Sequence, residues 1–133
     1  MKGLDTNVLV RYFVQDDRVQ SAIASSAIRE MAGRGEPAHI THIVLCELVW
    51  VLESAYRFSK VEVADLLEKM LAVRQFEIHS KDVVRQAVHD YRVGKGDLAD
   101  YLIGRVNQTL GCDHTVTFDR ALRGSSLFSV LGG

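Results

Sequence analysis

The sequence predicts an α/β domain in which short strands alternate with longer helices to give a mostly parallel sheet covered on both faces. Two observations predict it. Brief strand-like stretches are each followed by a segment with helical apolar spacing, and parallel strands need the crossover connections that such helices supply. Acidic residues also fall at or just beyond the predicted strand ends, where ligands bind in sheets of this kind. With 133 residues, the chain fits a single domain over 1–133, long enough to bury a core.

The opening Lys2–Gly3–Leu4–Asp5 reads as a very short strand ending at Asp5, after which Thr6 or Asn7 can cap a helix through Val8–Phe13. A second helix runs from about Val19 to Met31, with Ala22, Ile23, Ala27, Ile28 and Met31 at helical spacing, and Gly33 with Gly35 stops it. After a turn at Glu36–Pro37, Ala38–Thr41 reads as a strand, and a helix from Ile43 to about Tyr56 follows. Ser59 and Glu62 have the spacing of a capping box, opening a helix with Val61, Ala64, Leu67 and Leu71 inward. Phe76–His79 alternates as a strand does, and Ser80 caps a helix through Val83, Val84, Ala87, Val88 and Tyr91.

Gly94 and Gly96 then break the pattern, and Asp97 starts a helix with Leu98, Leu102, Ile103 and Val106 that ends near Gly111. Cys112–Phe118 reads as a strand delivering Asp119, a helical turn covers Arg120–Leu122, and Leu127–Leu131 is the last strand.

Composition narrows the class. Hydrophobic residues at 47% and charged residues at 25%, with 10 Gly and one Pro, describe a chain that folds. A formal charge of −1 gives no global basic field, so any nucleic-acid contact must rest on local Lys and Arg. Met1–Leu4 meets Asp5 before any apolar stretch develops, unlike a secretory signal, and no segment is apolar for long enough to span a bilayer. Cys46 and Cys112 lack paired metal spacing, and a buried thiol at Cys46 points to a reducing, cytoplasmic compartment. His39 and His42 are three apart but span a strand and a turn, so structural roles are expected. Trp50, Tyr56, Phe76 and Phe118 are expected to fill the core.

Five acids carry the functional signal: Asp5, Glu47, Asp97, Asp100 and Asp119, from four segments, each beside or inside an apolar run. Glu47 is the only charged residue in Ile43–Leu52. An unpartnered carboxylate out of water costs several kcal/mol, against a total stability of about 5–15 kcal/mol for a domain. Either Glu47 lies on a narrow solvated stripe or a shared cation compensates it, and four further acids in similar settings favour the cation. Crowded carboxylates need protonation or a counter-ion, and oxygen-only donors select hard ions such as Mg2+ or Mn2+. Such a centre hydrolyses phosphodiesters.

Asp97 and Asp100 are three apart, neighbours on one helix face; Asp97 reads equally as a helix cap and as an outer ligand, and Asp100 as the better ligand. Thr6, Asn7 and Thr117 adjoin the acids and are candidates to orient them, with capping an equal explanation. Arg11, Lys95, Arg105, Arg120 and Arg123 are candidates for RNA phosphates at the rim, with solvated surface charge the default for each.

Asp5–Thr6–Asn7–Val8–Leu9–Val10, Glu47–Leu48, Asp97–Leu98–Ala99–Asp100–Tyr101–Leu102–Ile103 and Thr117–Phe118–Asp119 together resemble the PIN-domain family, and more closely the VapC-type toxins of toxin–antitoxin pairs. The resemblance covers the full chain in order and spacing. It implies a three-layer α/β/α sandwich, Mg2+- or Mn2+-dependent endoribonuclease activity, a homodimer, and inhibition by a cognate VapB-like antitoxin. Asp5, Glu47, Asp100 and Asp119 match the family's acidic quartet, Asp97 an additional metal-facing acid, and Thr6, Asn7 and Thr117 positions supporting them. Leu98 stands where Phe is frequent, a mild departure.

Rivals fit less well. A haloacid-dehalogenase-like, Mg2+-dependent phosphatase needs a second Asp where Asn7 stands, and a phospho-receiver needs an acceptor Asp where Phe76–Ser80 stand. A PIN-like protein that binds RNA or a partner without catalysis remains compatible with the sequence.

Overall fold

The computed structural model describes residues 1–132, which fall into two compact units, one ending at Lys81 and one beginning at Asp82. Each unit is α/β, and every strand pairing is parallel. The fold class is therefore the one the sequence predicts.

The first unit holds strands β1 (Lys2–Gly3), β2 (Ala38–Ile40) and β3 (Phe76–Ile78) in that spatial order, Lys2 opposite Ala38 and Ala38 opposite Phe76. Helices α1 (Thr6–Val14) and α2 (Arg18–Gly33) connect β1 to β2; α3 (His42–Ser54) and α4 (Lys60–Ala72) connect β2 to β3. The helix starts follow from capping chemistry. Asp17 accepts from the Gln20 N–H at 3.0 Å, and Thr41 from the Val44 N–H at 3.1 Å. Ser59 and Glu62 form both arms of the expected capping box. Two capping expectations are corrected. Asp5, not Thr6 or Asn7, caps α1, because its own carboxylate reaches the Thr6 N–H. Ser80 lies at φ +49°, outside the extended geometry a cap needs, so it is the turn into the next helix.

Leu9, Ile40, Leu45, Leu48, Leu52 and Leu67 are fully buried in this unit. On α4, Val63, Ala64, Leu67 and Leu71 form the inner face; Val61, expected there, is 59% exposed because the cap at Ser59 sets the helix phase and turns it outward. On α3, Val44, Leu45, Leu48, Val49 and Leu52 face inward, so Ile43, Glu47 and Trp50 share the opposite face. Trp50 is 69% exposed, contrary to the core role expected of it.

The second unit contains α5 (Lys81–Val93), α6 (Leu98–Thr109), β4 (Thr115–Thr117), a 3₁₀ turn (Arg120–Leu122) and β5 (Phe128–Val130). Strands β4 and β5 form their own two-stranded parallel pair, Thr115 opposite Phe128, so the one expected sheet is two hydrogen-bonded sets. Helix α6 ends in a Schellman motif, with the Gly111 N–H on the Gln108 carbonyl and the Cys112 N–H on the Asn107 carbonyl, both at 3.1 Å. Gly111 supplies the φ of +91° that this ending needs. Tyr91, Leu98, Tyr101 and Leu122 pack the interior. Phe118 was expected to join them but is 76% exposed, beyond the end of β4. Among the described residues no helix is long and apolar enough to cross a membrane.

Candidate functional site

The first unit brings Asp5 and Glu47 to a single residue. Strands β1 and β2 are parallel neighbours, so the helices after them start at the same end of the sheet. Thr6, the first residue of α1, is buried there. Its backbone N–H donates to Asp5 Oδ1 at 2.8 Å, and its hydroxyl donates to Glu47 Oε1 at 2.9 Å. Two acids 42 positions apart in the chain are thus hydrogen-bonded by one threonine. Glu47 itself is exposed, on the solvated face of α3. The desolvation cost read from its apolar neighbours is therefore corrected, because helical periodicity puts the acid on the face opposite the buried leucines. Asn7 is exposed and borders an apolar groove of about 340 Å3 lined by Val8, Ile23, Ala24 and Ala27.

The second unit gathers the other three acids. Asp97 is the N-cap residue of α6, and its backbone N–H donates to Asp100 Oδ2 at 3.0 Å. Asp100 is half-buried, and burial pushes its carboxyl above the usual carboxylate range, with the negative charges of Asp97 and Asp119 adding to the rise against the pull of the Asp97 N–H. Asp119 caps the 3₁₀ turn, its Oδ1 accepting from the Ala121 N–H at 2.9 Å. Thr117 acts on the backbone rather than the carboxylate, accepting from the Asp119 N–H at 3.1 Å.

In each unit the acids offer carboxylate oxygens, the donor type that a hard divalent cation takes. Among the described residues, no three His, Cys, Asp or Glu side chains converge closely enough to hold a metal ion as they stand. Mutual repulsion of unneutralised carboxylates favours that spacing.

The five cations divide. Arg11 is engaged by Gln20 at 2.7 Å, Asp16 at 3.0 Å and Tyr56 at 3.4 Å. The Tyr56 hydroxyl donates to Asp16 and, ahead of Arg11, holds that carboxyl below its usual range. Arg105 forms a bidentate pair with Asp90, at 2.7 and 2.9 Å. Lys95, Arg120 and Arg123 instead line one cavity of the second unit. His42 is hydrogen-bonded to the His79 carbonyl, with the two rings tilted at 58° and 5.1 Å between centroids, a structural role as expected. Both thiols are free; Cys46 is half-buried and raised by that burial, and Cys112 is exposed.

The order of strands, helices and acids defines a class of protein, and the PIN domain family matches residues 3–124, so the chain belongs to the PIN-domain family. It is 26% identical over 123 residues to the VapC ribonuclease of Aquifex aeolicus (strain VF5), covering 92% of this chain and 90% of that protein. The resemblance read from the four motifs is thus borne out along the chain.

Proposed function

We propose that this protein is a Mg2+- or Mn2+-dependent endoribonuclease, the VapC-type toxin of a toxin–antitoxin pair, acting as one PIN domain over residues 1–133. The observation that carries the reading is the Thr6 link, which orients Asp5 and Glu47, the acids of two of the four motifs, through one side chain and one N–H. Family membership over 3–124, spanning all five acids, and the likeness to a VapC ribonuclease support the rest.

In this reading Asp5, Glu47, Asp100 and Asp119 hold the metal, with Asp97 as an outer ligand that also caps α6. When bound, the cation orients a phosphodiester, lowers the pKa of a water and stabilises the charge of an in-line displacement. The chain's own part is to hold the acids aimed. Thr6 fixes one oxygen each of Asp5 and Glu47, the Asp97 N–H fixes one of Asp100, and the turn at Ala121 fixes one of Asp119. In each case the partner oxygen is left to a ligand. RNA is the substrate, a homodimer the working form, a VapB-like antitoxin the inhibitor and the cytoplasm the location.

The test is cleavage of RNA by the purified protein with Mg2+, Mn2+ or EDTA, alongside Asp5→Ala and Asp100→Ala. Cleavage should need the metal and vanish in both variants. Persistence in EDTA, or in both variants, rejects the assignment; RNA binding without cleavage in any metal leaves the non-catalytic reading in its place.

A further inference from the structure

The second unit contains a polar cavity of about 590 Å3, within the size range of small-ligand sites. Lys95, Arg120 and Arg123 line it, and the acid in its wall, Asp90, is already neutralised by the bidentate Arg105. Lys95 and Arg120 thus bring uncommitted positive charge to a wall whose one acid is already paired. Among the described residues the side chains of Lys95 and Arg120 have no ion-pair partner, and both are exposed.

The loop that carries Lys95 has a fixed shape. The Gly96 N–H donates to the Tyr101 hydroxyl at 3.1 Å, and a Cβ on Gly94 would stand 2.1 Å from that oxygen. Only glycine lets the chain pass so near the buried Tyr101 ring, and Lys95 is held between the two glycines over the cavity. Its neighbours in sequence are the acids: Lys95 precedes Asp97 by two residues and Arg120 follows Asp119 directly.

We propose that this cavity is a phosphate subsite, in which Lys95, Arg120 and Arg123 grip the RNA phosphate flanking the one that is cleaved. The proposal rests on the ribonuclease reading for which phosphate is cut. Guanidinium and ammonium groups around a polar hollow recognise phosphate oxygens through short, charge-assisted hydrogen bonds. An RNA strand whose scissile phosphate met a cation at Asp97 and Asp119 would present its next phosphate to the chain segments that carry Lys95 and Arg120. Arg11 and Arg105, tied to Asp16 and Asp90, take no part.

The test uses the full chain with Lys95→Gln, Arg120→Gln and the double variant, all at exposed positions that should leave the melting temperature unchanged. Binding of a single-stranded RNA oligonucleotide is measured in EDTA across a salt series, where nothing is cut. Loss of one phosphate contact should lower the slope of log K against log salt by about 0.7. With Mn2+, KM should rise about tenfold in the double variant while kcat changes less than threefold, and Lys95→Arg should restore most of the loss. An unchanged slope and KM in a folded double variant overturns the subsite. So does a result in which an oligoglutamate peptide, rather than RNA, loses affinity. A lowered slope in a protein that never cleaves RNA keeps the phosphate subsite and rejects the ribonuclease reading instead.

Discussion

Replacing Thr6 by Val removes one hydroxyl and little else. The side chain stays β-branched, the backbone N–H stays on Asp5, and the bond lost is the 2.9 Å donation to Glu47 Oε1. A hydrogen bond to a charged group contributes roughly 1.5–3 kcal/mol, and the exposure of Glu47 puts this one at the low end, since water can replace the donor. The new methyl, at a position only 7% exposed, returns up to about 0.8 kcal/mol by burial. The net cost is then about 0.5–1 kcal/mol, or a drop in melting temperature of roughly 2–4 °C for a chain of this size. A double-mutant cycle with Glu47→Ala isolates the bond and should give a coupling of about 0.5–1.5 kcal/mol without metal. Function should be more sensitive than stability. Loss of a group that orients a ligand weakens metal binding about 10- to 100-fold, so the Mn2+ midpoint for RNA cleavage should rise by that factor, with kcat at saturating Mn2+ nearly kept. A coupling of zero together with an unchanged Mn2+ midpoint would refute the argument that Thr6 aims Glu47.

Asp100→Asn should raise stability without metal at neutral pH, because it removes a carboxylate that burial and its neighbours disfavour. The sign follows from linkage: a folded-state pKa above the unfolded one penalises the ionised form, so the penalty is absent below the unfolded value and complete above the raised folded one. Between those two values wild type should lose stability as pH rises and the variant should not, as thermal melts in EDTA from acid to neutral pH can determine; parallel curves would dismiss the idea. Asp90→Asn, which breaks a bidentate pair whose side chains are only 23% and 15% exposed, should cost about 2 kcal/mol by leaving the Arg105 charge half-sheltered. Urea unfolding measures it, and a loss under about 0.5 kcal/mol would class the pair with ordinary surface ion pairs.

Much of the chain is legible because its signals are local. Ser59 with Glu62, Gly111 past the end of α6 and Asp97 at its start each fix an element boundary through one or two hydrogen bonds that the residue types announce. Glu47 is harder, because Ile43–Leu52 is apolar around the whole helix and composition alone cannot choose the buried side. The choice comes from tertiary packing, which turns Leu45, Leu48 and Leu52 inward and leaves Ile43, Glu47 and Trp50 in solvent. The cost of burying Glu47 is therefore not what singles it out, because the carboxylate lies in solvent. What distinguishes Glu47 is position: parallel pairing of β1 with β2 brings the second turn of α3 beside the first residue of α1, so that Thr6 can reach it. The burial argument holds instead at Asp100, which has a half-buried carboxyl, like charges nearby and a raised pKa. The desolvation that the apolar surroundings of Glu47 suggested falls instead on Asp100, with like charges adding to it. A metal-dependent centre should therefore show its energetic linkage first at Asp100, as added Mn2+ stabilising wild type more than Asp100→Asn.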